Sequence, residues 1–265
     1  MRPILFHIGS VPIRSFGMLV MIGFMAGLWW VMRECESRKS LPEGTPRRVA
    51  PEVLQDIATI GLFTSIIGAR LVFVLLSWGY YSKHPKEIVQ VWEGGISLHG
   101  ALLFAVITLV VYCKKQKVSV ASAADLGATA WALSYTFGRI GCFLNGCCYG
   151  NSCSLPWAVR FHDENGFGLT PPSHPIQIYA AILNLIFFLI LVRWGRRPHH
   201  DGVIFLSYMI MYGAYRFFME YLRIGATTTL LIPSLHLTDT HIVSLLMIVV
   251  SAIAMIRLQK TAKAY

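Results

Sequence analysis

The stretch from residue 174 to residue 197 reads HPIQIYAAILNLIFFLILVRWGRR, a long apolar run that ends in arginines. A helix needs about 20 mostly apolar residues to cross the hydrocarbon core of a bilayer, and this run is long enough. Six other stretches have a similar length and composition, so the sequence predicts an all-α, polytopic membrane protein. The seven predicted transmembrane helices occupy about residues 14–33, 56–78, 96–113, 121–143, 174–194, 202–222 and 240–258.

The overall composition supports a membrane protein. Of 265 residues, 55% are hydrophobic and only 14% are charged, whereas about 25% of the residues of an average soluble domain are charged. A net charge of +10 is typical of many nucleic-acid-binding proteins, but no soluble basic domain is present to carry it, and no nucleic-acid partner is expected. Without an internal repeat or a low-complexity linker, residues 1–265 are expected to form a single integral membrane domain.

Lysines and arginines are distributed unequally between the two sets of alternating loops. One set has 14 and the other has six, and the positive-inside rule assigns the richer set to the cytoplasm. The amino terminus is therefore predicted outside, the carboxy terminus inside, and a loop region at about 144–173 outside. The richer set is Arg33, Arg38, Lys39, Arg47, Arg48, Lys114, Lys115, Lys117, Arg193, Arg196, Arg197, Arg257, Lys260 and Lys263, and the poorer set is Arg2, Arg14, Lys83, Lys86, Arg160 and Arg223.

Arg70, Arg139 and Arg216 lie inside three different apolar stretches. A charge at bilayer depth costs roughly 2.5–3.5 kcal/mol on insertion scales, so each arginine is a candidate functional residue. The topology places all three in the outer half of the membrane. Glu220 follows Arg216 by one helical turn, and three arginines with one nearby carboxylate predict an anionic ligand such as a phosphate, whose oxygens match the guanidinium fork.

A glycine-rich segment surrounds Arg139 and reads GRIGCFLNGCCYG from residue 138 to residue 150. Its glycines favour a broken helix end whose free amides line a polar cavity. The segment resembles the G-R-x-G-N-F-x-N-G-E signature of the bacterial phosphatidylglycerol–prolipoprotein diacylglyceryl transferases. Four other segments resemble this family in the same order: GAR at 68–70, GGISLHG at 94–100, HPIQIY at 174–179 and YGAYRFFME at 212–220.

The resemblance implies a multi-pass enzyme of the bacterial cytoplasmic (inner) membrane. Such a transferase moves a diacylglyceryl group from phosphatidylglycerol, a membrane lipid, to the thiol of the lipobox cysteine in a prolipoprotein signal peptide, releasing glycerol phosphate. The resemblance implies no metal and no organic cofactor.

The resemblance also implies roles for individual residues. Arg139 would hold the phosphate, and Arg216, oriented by Glu220, would help to neutralise the leaving phosphate or position the lipid. His99 would be the general base for the incoming thiol, because imidazole titrates near neutrality and the thiolate is the nucleophile. Further candidates for substrate binding are Arg70, Asn145 and Tyr179.

Two residues depart from the family signature. Cys142 stands where the family usually has asparagine, and Cys147 stands where it usually has glutamate. These differences leave open a divergent relative that acts on another lipid donor or acceptor, or a non-catalytic membrane protein that binds anionic lipids.

Four cysteines, Cys142, Cys147, Cys148 and Cys153, fall within twelve residues at the predicted outer side. An oxidising exterior favours disulfides, so at least one is predicted, and four cysteines allow three pairings. Zinc is the alternative, although the spacing lacks the usual pair of C-x₂₋₄-C elements.

Two other classes of membrane protein fit the sequence less well. A retinal-based light-driven pump needs a lysine for its Schiff base, and the seventh predicted helix, 240–258, contains none. An anion or lipid transporter would use the same arginines, but the inverted repeat that many transporters have is not evident.

Overall fold

All seven predicted transmembrane stretches are α-helical in the computed structural model, which describes residues 3–9, 11–38, 49–90, 94–162, 168–223, 230–232 and 237–263. The basic residues Arg2, Lys39, Arg47 and Arg48, which contribute to the predicted orientation, lie outside these described residues. The described helices are α1 (Ser15–Ser37), α2 (Pro51–Leu76), α3 (Trp78–Tyr81), α4 (Leu98–Lys115), α5 (Val120–Asn145), α6 (Ile176–Gly195), α7 (Val203–Glu220) and α8 (Asp239–Lys263).

Short extended segments accompany the helices. Strands β1 (Ile4–Ile8) and β2 (Val11–Arg14) form an antiparallel hairpin immediately before α1. Strands β3 (Leu230–Ile232) and β4 (Leu237–Thr238) pair antiparallel before α8, and a 3₁₀ turn covers Pro85–Val89.

Five of the described helices, α1, α2, α4, α6 and α8, are long and apolar enough to cross a membrane. Their exposed surfaces carry many large apolar side chains, as expected where lipid rather than water is the solvent. The chain is therefore a helical, multi-pass membrane protein. The remaining two predicted spans, α5 and α7, contain the ionisable residues Asp125, Arg139, Arg216 and Glu220.

The chain divides into two compact units, Val31–Ala124 and the combination of Met1–Trp30 with Asp125–Tyr265. In the first unit, α2 packs on α4. A methyl group at Gly100 would overlap the carbonyl oxygen of Gly68, so the two helix backbones approach closely at this point. A hydroxyl contact of 2.8 Å between Thr64 and Thr108 joins the same helices farther along.

In the second unit, α7 packs against both α6 and α8. Gly23 on α1 lies against α5, where its carbonyl oxygen accepts a 2.8 Å hydrogen bond from Ser134 Oγ. A buried cluster forms part of the apolar core of this unit, and its members are Ala128, Ala132, Leu191, Ile204 and Tyr208.

Asp125, near the start of α5, is buried and caps the start of α7. Its Oδ2 accepts a 2.8 Å hydrogen bond from the backbone N–H of Gly202, and its Oδ1 accepts one of 2.7 Å from Phe205. The first N–H groups of a helix have no partner within the helix, so a carboxylate satisfies both their hydrogen bonding and the helix dipole. This use of the charge explains how an aspartate is tolerated in an apolar helix.

The segment between α5 and α6 is tied to the end of α7. The backbone N–H of Asn151 donates to the carbonyl of Leu222 at 2.8 Å, and that of Gly150 donates to His174 at 2.9 Å. Phe161 is completely buried, with Tyr149 stacked on its ring at 4.7 Å. The carboxyl ends of α5 and α7 and the start of α6 are therefore held together by this segment.

Candidate active site

Arg139 lies on α5 and is partnered by Tyr135, one helical turn earlier. Its Nη2 donates a short hydrogen bond to the Tyr135 hydroxyl, and its guanidinium carbon lies 4.8 Å from the centre of the Tyr135 ring. Both contacts are of the kind that hold a guanidinium in a defined orientation. Among the described residues, no carboxylate pairs with Arg139.

Arg216 lies on α7 and is paired with Glu220. Its Nη1 is 3.1 Å from Glu220 Oε2, and the two side chains are 21% and 4% exposed. The i, i+4 spacing brings the two groups together on one helix face. Arg216 therefore has an acidic partner and a partly open side, and its role in substrate binding stays a prediction.

The two arginines approach the same pair of tyrosines. Tyr212 and Tyr215 each interact electrostatically with both Arg139 and Arg216. The Tyr212 ring packs edge-on against Tyr135, with centroids 5.9 Å apart, and lies 5.6 Å from the ring of Tyr215. Two positive charges and three phenol hydroxyls therefore lie in one region of α5 and α7, an arrangement suited to a large anion.

The hydroxyl of Tyr179, at the start of α6, has two polar neighbours. It accepts a 2.7 Å hydrogen bond from Trp157 Nε1 and lies 3.4 Å from His174 Nδ1. Trp157 is 56% exposed, and aromatic residues of this kind are enriched where membrane meets water. These contacts do not join Tyr179 to either arginine, so its role in substrate binding stays a prediction.

Arg70 belongs to the other unit and makes mainly structural contacts. A guanidinium has five N–H donors, and four of those on Arg70 donate to the backbone carbonyls of Glu87, Ile88, Gly94 and Gly95. The ring of Tyr81 lies 5.1 Å from its guanidinium carbon, and the side chain is buried. Most of its donors are therefore committed to the protein, and direct binding of substrate by Arg70 stays a prediction.

His99 is the second residue of α4 and is exposed. Ser97 caps this helix by accepting a 3.4 Å hydrogen bond from Gly100, and its own N–H donates to Ala69 on α2. Two of the carbonyls that Arg70 holds, those of Gly94 and Gly95, lie just before this cap. Arg70 and Ser97 together fix the backbone from which the His99 side chain starts.

Comparison with known proteins identifies the family of this chain. A family model described as prolipoprotein diacylglyceryl transferase matches residues 3–257, which is nearly the whole chain. The chain belongs to the prolipoprotein diacylglyceryl transferase family.

Several curated members of the diacylglyceryl transferase family are similar over most of their length, and each is named phosphatidylglycerol–prolipoprotein diacylglyceryl transferase. The one from Geobacter sulfurreducens is 35% identical over 223 residues, covering 83% of this chain and 82% of the relative. The one from Bacillus velezensis is 31% identical over 261 residues, with coverages of 96% and 91%. The one from Finegoldia magna is 32% identical over 261 residues, with coverages of 98% and 97%.

The signature segment of the diacylglyceryl transferases does not break the helix in the way the glycines suggested. Helix α5 continues through Gly138 and Gly141 and ends at Asn145. Gly146, with φ +82°, then donates to Phe143, and Cys147 donates to Cys142. This pattern is a Schellman motif; it satisfies the last carbonyls of α5 and ends the helix two residues beyond the predicted end at 143.

The cysteines that replace the family's asparagine and glutamate meet at this helix end. The Sγ atoms of Cys142, Cys147 and Cys148 all lie within 4.8 Å of one another. Asn145 is the last residue of α5 and is exposed. The disulfide expected among Cys142, Cys147, Cys148 and Cys153 stays a prediction that thiol counting can test.

Three residues that shape this transferase site were not among the candidates from the sequence. Tyr135 orients Arg139. Its position four residues before Arg139, on the same helix face, is the sequence feature that could have indicated this contact. Trp157 binds the Tyr179 hydroxyl across 22 residues of sequence, which no local pattern indicates. Gln177 is fully buried and its Nε2 donates to the Cys147 carbonyl at 2.7 Å, so it fixes the segment that follows α5.

Proposed function

We propose that this protein transfers a diacylglyceryl group from phosphatidylglycerol to the thiol of a lipobox cysteine in prolipoproteins and releases glycerol phosphate. Membership of the transferase family supports this, as do the donor and acceptor that appear in the names of the relatives. The structural observation that carries the proposal is that both arginines adjoin one tyrosine group: Arg139 donates to the Tyr135 hydroxyl, and the Tyr135 ring packs against Tyr212, which lies one turn before Arg216 on α7.

The phosphate of the lipid binds between the two arginines. Arg139 is the main anchor, because no carboxylate among the described residues compensates its charge and a phosphate supplies the missing negative charge. Arg216 is already paired with Glu220. Because of this pair, the guanidinium of Arg216 is not an isolated charge in a poorly solvated region when it shifts toward the phosphate. Fixed charges aimed at a leaving group often make the largest single contribution to catalysis, especially where water is excluded.

The reaction exchanges one bond of the lipid for another. The acceptor sulfur attacks the carbon of the diacylglyceryl group that is bonded to a phosphate oxygen. The new C–S bond forms as this C–O bond breaks. The bonding electron pair leaves with the phosphate oxygen, where Arg139 and Arg216 stabilise it. His99 takes the proton of the acceptor thiol, in keeping with its exposure at the start of α4.

The remaining candidates have supporting roles in this proposal. Arg70 positions the backbone before α4 through its carbonyl contacts. Asn145 and Tyr179 offer polar groups to the headgroup from the ends of α5 and α6.

The proposed arrangement has seven spans, with α5 and α7 crossing the membrane alongside the five more apolar helices. The amino terminus is outside, the carboxy terminus inside, and residues 1–265 act as one integral domain of the bacterial cytoplasmic (inner) membrane. The unequal distribution of lysine and arginine supports this orientation. The loop region at about 144–173 then lies on the outer side, where exported substrates arrive.

Complementation of a bacterial cell depleted of its own transferase tests the proposal. Wild type is expected to lipidate a test prolipoprotein, whereas Arg139→Ala and Arg216→Ala lose both lipidation and binding of phosphatidylglycerol. His99→Ala is expected to bind the lipid and to turn over slowly.

Arg193→Ala is the matched control, because Arg193 is an exposed arginine in the last turn of α6. It should lipidate like wild type. Wild-type protein that inserts and folds normally but lipidates nothing would refute the enzymatic proposal for this chain.

A further inference from the structure

Three cysteine sulfurs converge beside the candidate active site. The Sγ atoms of Cys142, Cys147 and Cys148 lie within 4.8 Å of one another, and those of Cys147 and Cys148 are 3.5 Å apart. Cys142 is on the last turn of α5, and the other two follow the helix end. Cys153 is the fourth cysteine of this region, and its sulfur is not part of the group.

The backbone brings these sulfurs together. Because Gly146 adopts a left-handed conformation, the Cys147 N–H returns to the Cys142 carbonyl at 3.2 Å. Cys148 is also left-handed, with φ +64°, a conformation that costs a residue with a Cβ roughly 1 kcal/mol or more. Gln177 holds the Cys147 carbonyl from α6. The ligand positions are therefore preorganised by the fold.

The spacing of the sulfurs suits a shared metal ion. Tetrahedral zinc binds thiolates at about 2.3 Å, which places neighbouring sulfurs about 3.8 Å apart. The Cys147–Cys148 separation of 3.5 Å is close to that value, and none of the three sulfur–sulfur separations exceeds 4.8 Å. A disulfide would bond only two of the three sulfurs, at about 2.05 Å, and the third would remain a free thiol beside them.

The charges of the three thiolates favour a divalent over a monovalent ion. Arg139 interacts electrostatically with Cys142 and Cys148. Three thiolates with a divalent cation carry a net charge of −1, whereas a monovalent cation would leave a net charge of −2, so the divalent ion leaves the smaller charge in this partly buried region. Thiolates also prefer soft or borderline metals to magnesium or calcium.

We propose that Cys142, Cys147 and Cys148 form a binding site for a thiophilic divalent cation, with Zn²⁺ as the best match. Binding replaces three S–H protons, which are released to solvent, with three metal–sulfur bonds. Three protein ligands leave one position of a tetrahedral ion for a non-protein ligand. The ion joins the last turn of α5 to the segment after it, and so secures the helix end that carries Arg139.

Metal analysis of the full-length protein in detergent tests this site. Protein purified with a phosphine reductant is incubated with Zn²⁺, desalted and analysed for bound zinc by mass spectrometry. Wild type should retain one zinc per chain, and Cys142→Ser, Cys147→Ser and Cys148→Ser should each bind it at least about tenfold more weakly. Co²⁺ should give thiolate charge-transfer absorption in wild type that these variants lose.

Cys153→Ser is the matched control, because it removes a neighbouring thiol outside the group. It should retain zinc like wild type, and circular dichroism and gel filtration show whether each variant is folded. Removing zinc from wild type with a chelator should lower its melting temperature, with no such effect in folded Cys147→Ser.

Two results would overturn the proposal: reduced, folded wild type that retains no zinc, or equal loss of zinc in Cys153→Ser. A disulfide between these cysteines that persists under the reductant and prevents binding would also overturn it. The assay contains neither lipid nor acceptor, so its failure is distinguishable from failure of the transferase proposal.

Discussion

Arg216 Nη1 and Glu220 Oε2 lie 3.1 Å apart on α7, with the carboxylate almost completely removed from solvent. Neither charge is stable alone in such a buried position, because a buried ion without its partner costs more than the pair. The pair holds the arginine in place beside Tyr212 until an anion arrives.

Glu220→Gln should therefore lower the free energy of unfolding by about 1–3 kcal/mol, because Arg216 loses its charged partner. The double variant Arg216→Gln with Glu220→Gln should recover part of this stability while remaining inactive in lipidation. Thermal unfolding in detergent measures the first effect, and a double variant less stable than Glu220→Gln would contradict the explanation.

Tyr135→Phe should weaken binding of phosphatidylglycerol by about 0.5–1.5 kcal/mol, the net value of one hydrogen bond. The reason is that Arg139 loses the hydroxyl that orients it. Binding to the purified protein from mixed micelles provides the measurement.

Tyr208→Phe is the control for that effect. Tyr208 belongs to the same aromatic group, but its hydroxyl donates to Asn184 at 3.2 Å. Equal weakening of lipid binding in the two variants would argue against a specific role for Tyr135.

Arg70→Lys should reduce stability by about 2–4 kcal/mol, because an ammonium cannot reproduce a planar fork that reaches four carbonyls. Lipidation should fall as well, since the backbone leading to His99 is no longer fixed. Arg14→Lys, at an exposed arginine, should match wild type in both assays. Stable and fully active Arg70→Lys protein would show that these contacts do not position α4.

Gly100→Ala should destabilise the protein by about 1–3 kcal/mol, the usual cost of overpacking. The added methyl group would overlap the Gly68 carbonyl and push α4 away from α2. Gly61→Ala, on the same pair of helices, meets nothing within 4 Å and should be neutral. A comparison of melting temperatures decides between them.

Much of the fold follows from local sequence. Each predicted apolar stretch is a helix, since length and composition are local properties, and the predicted boundaries differ from the described ones by only a few residues. The pairing of Arg216 with Glu220 was predictable for the same reason, because residues four apart share a helix face.

The contacts that span the sequence were not predictable in this way. Four of the five N–H donors of Arg70 bind carbonyls 17 to 25 residues away, so its spacing alone could not distinguish a structural arginine from a ligand-binding one. The four glycines of the signature also did not indicate which of them would end α5, whose end was predicted at 143 and lies at Asn145. A glycine marks a helix end only when its conformation is known, and only Gly146 among those candidates with a described backbone has φ > 0.

The hydrogen bonds that Asp125 accepts from the start of α7 fix a common reference point for the distant arginines. Asp125 precedes Arg139 by fourteen residues, and Gly202, which it holds, precedes Arg216 by the same number. At 1.5 Å of rise per residue, each guanidinium-bearing Cα stands about 21 Å from this junction along its own helix. Both arginines thus lie at the same distance along their helices from the Asp125 carboxylate. A shift of either helix by one residue would place the two guanidinium groups at different heights.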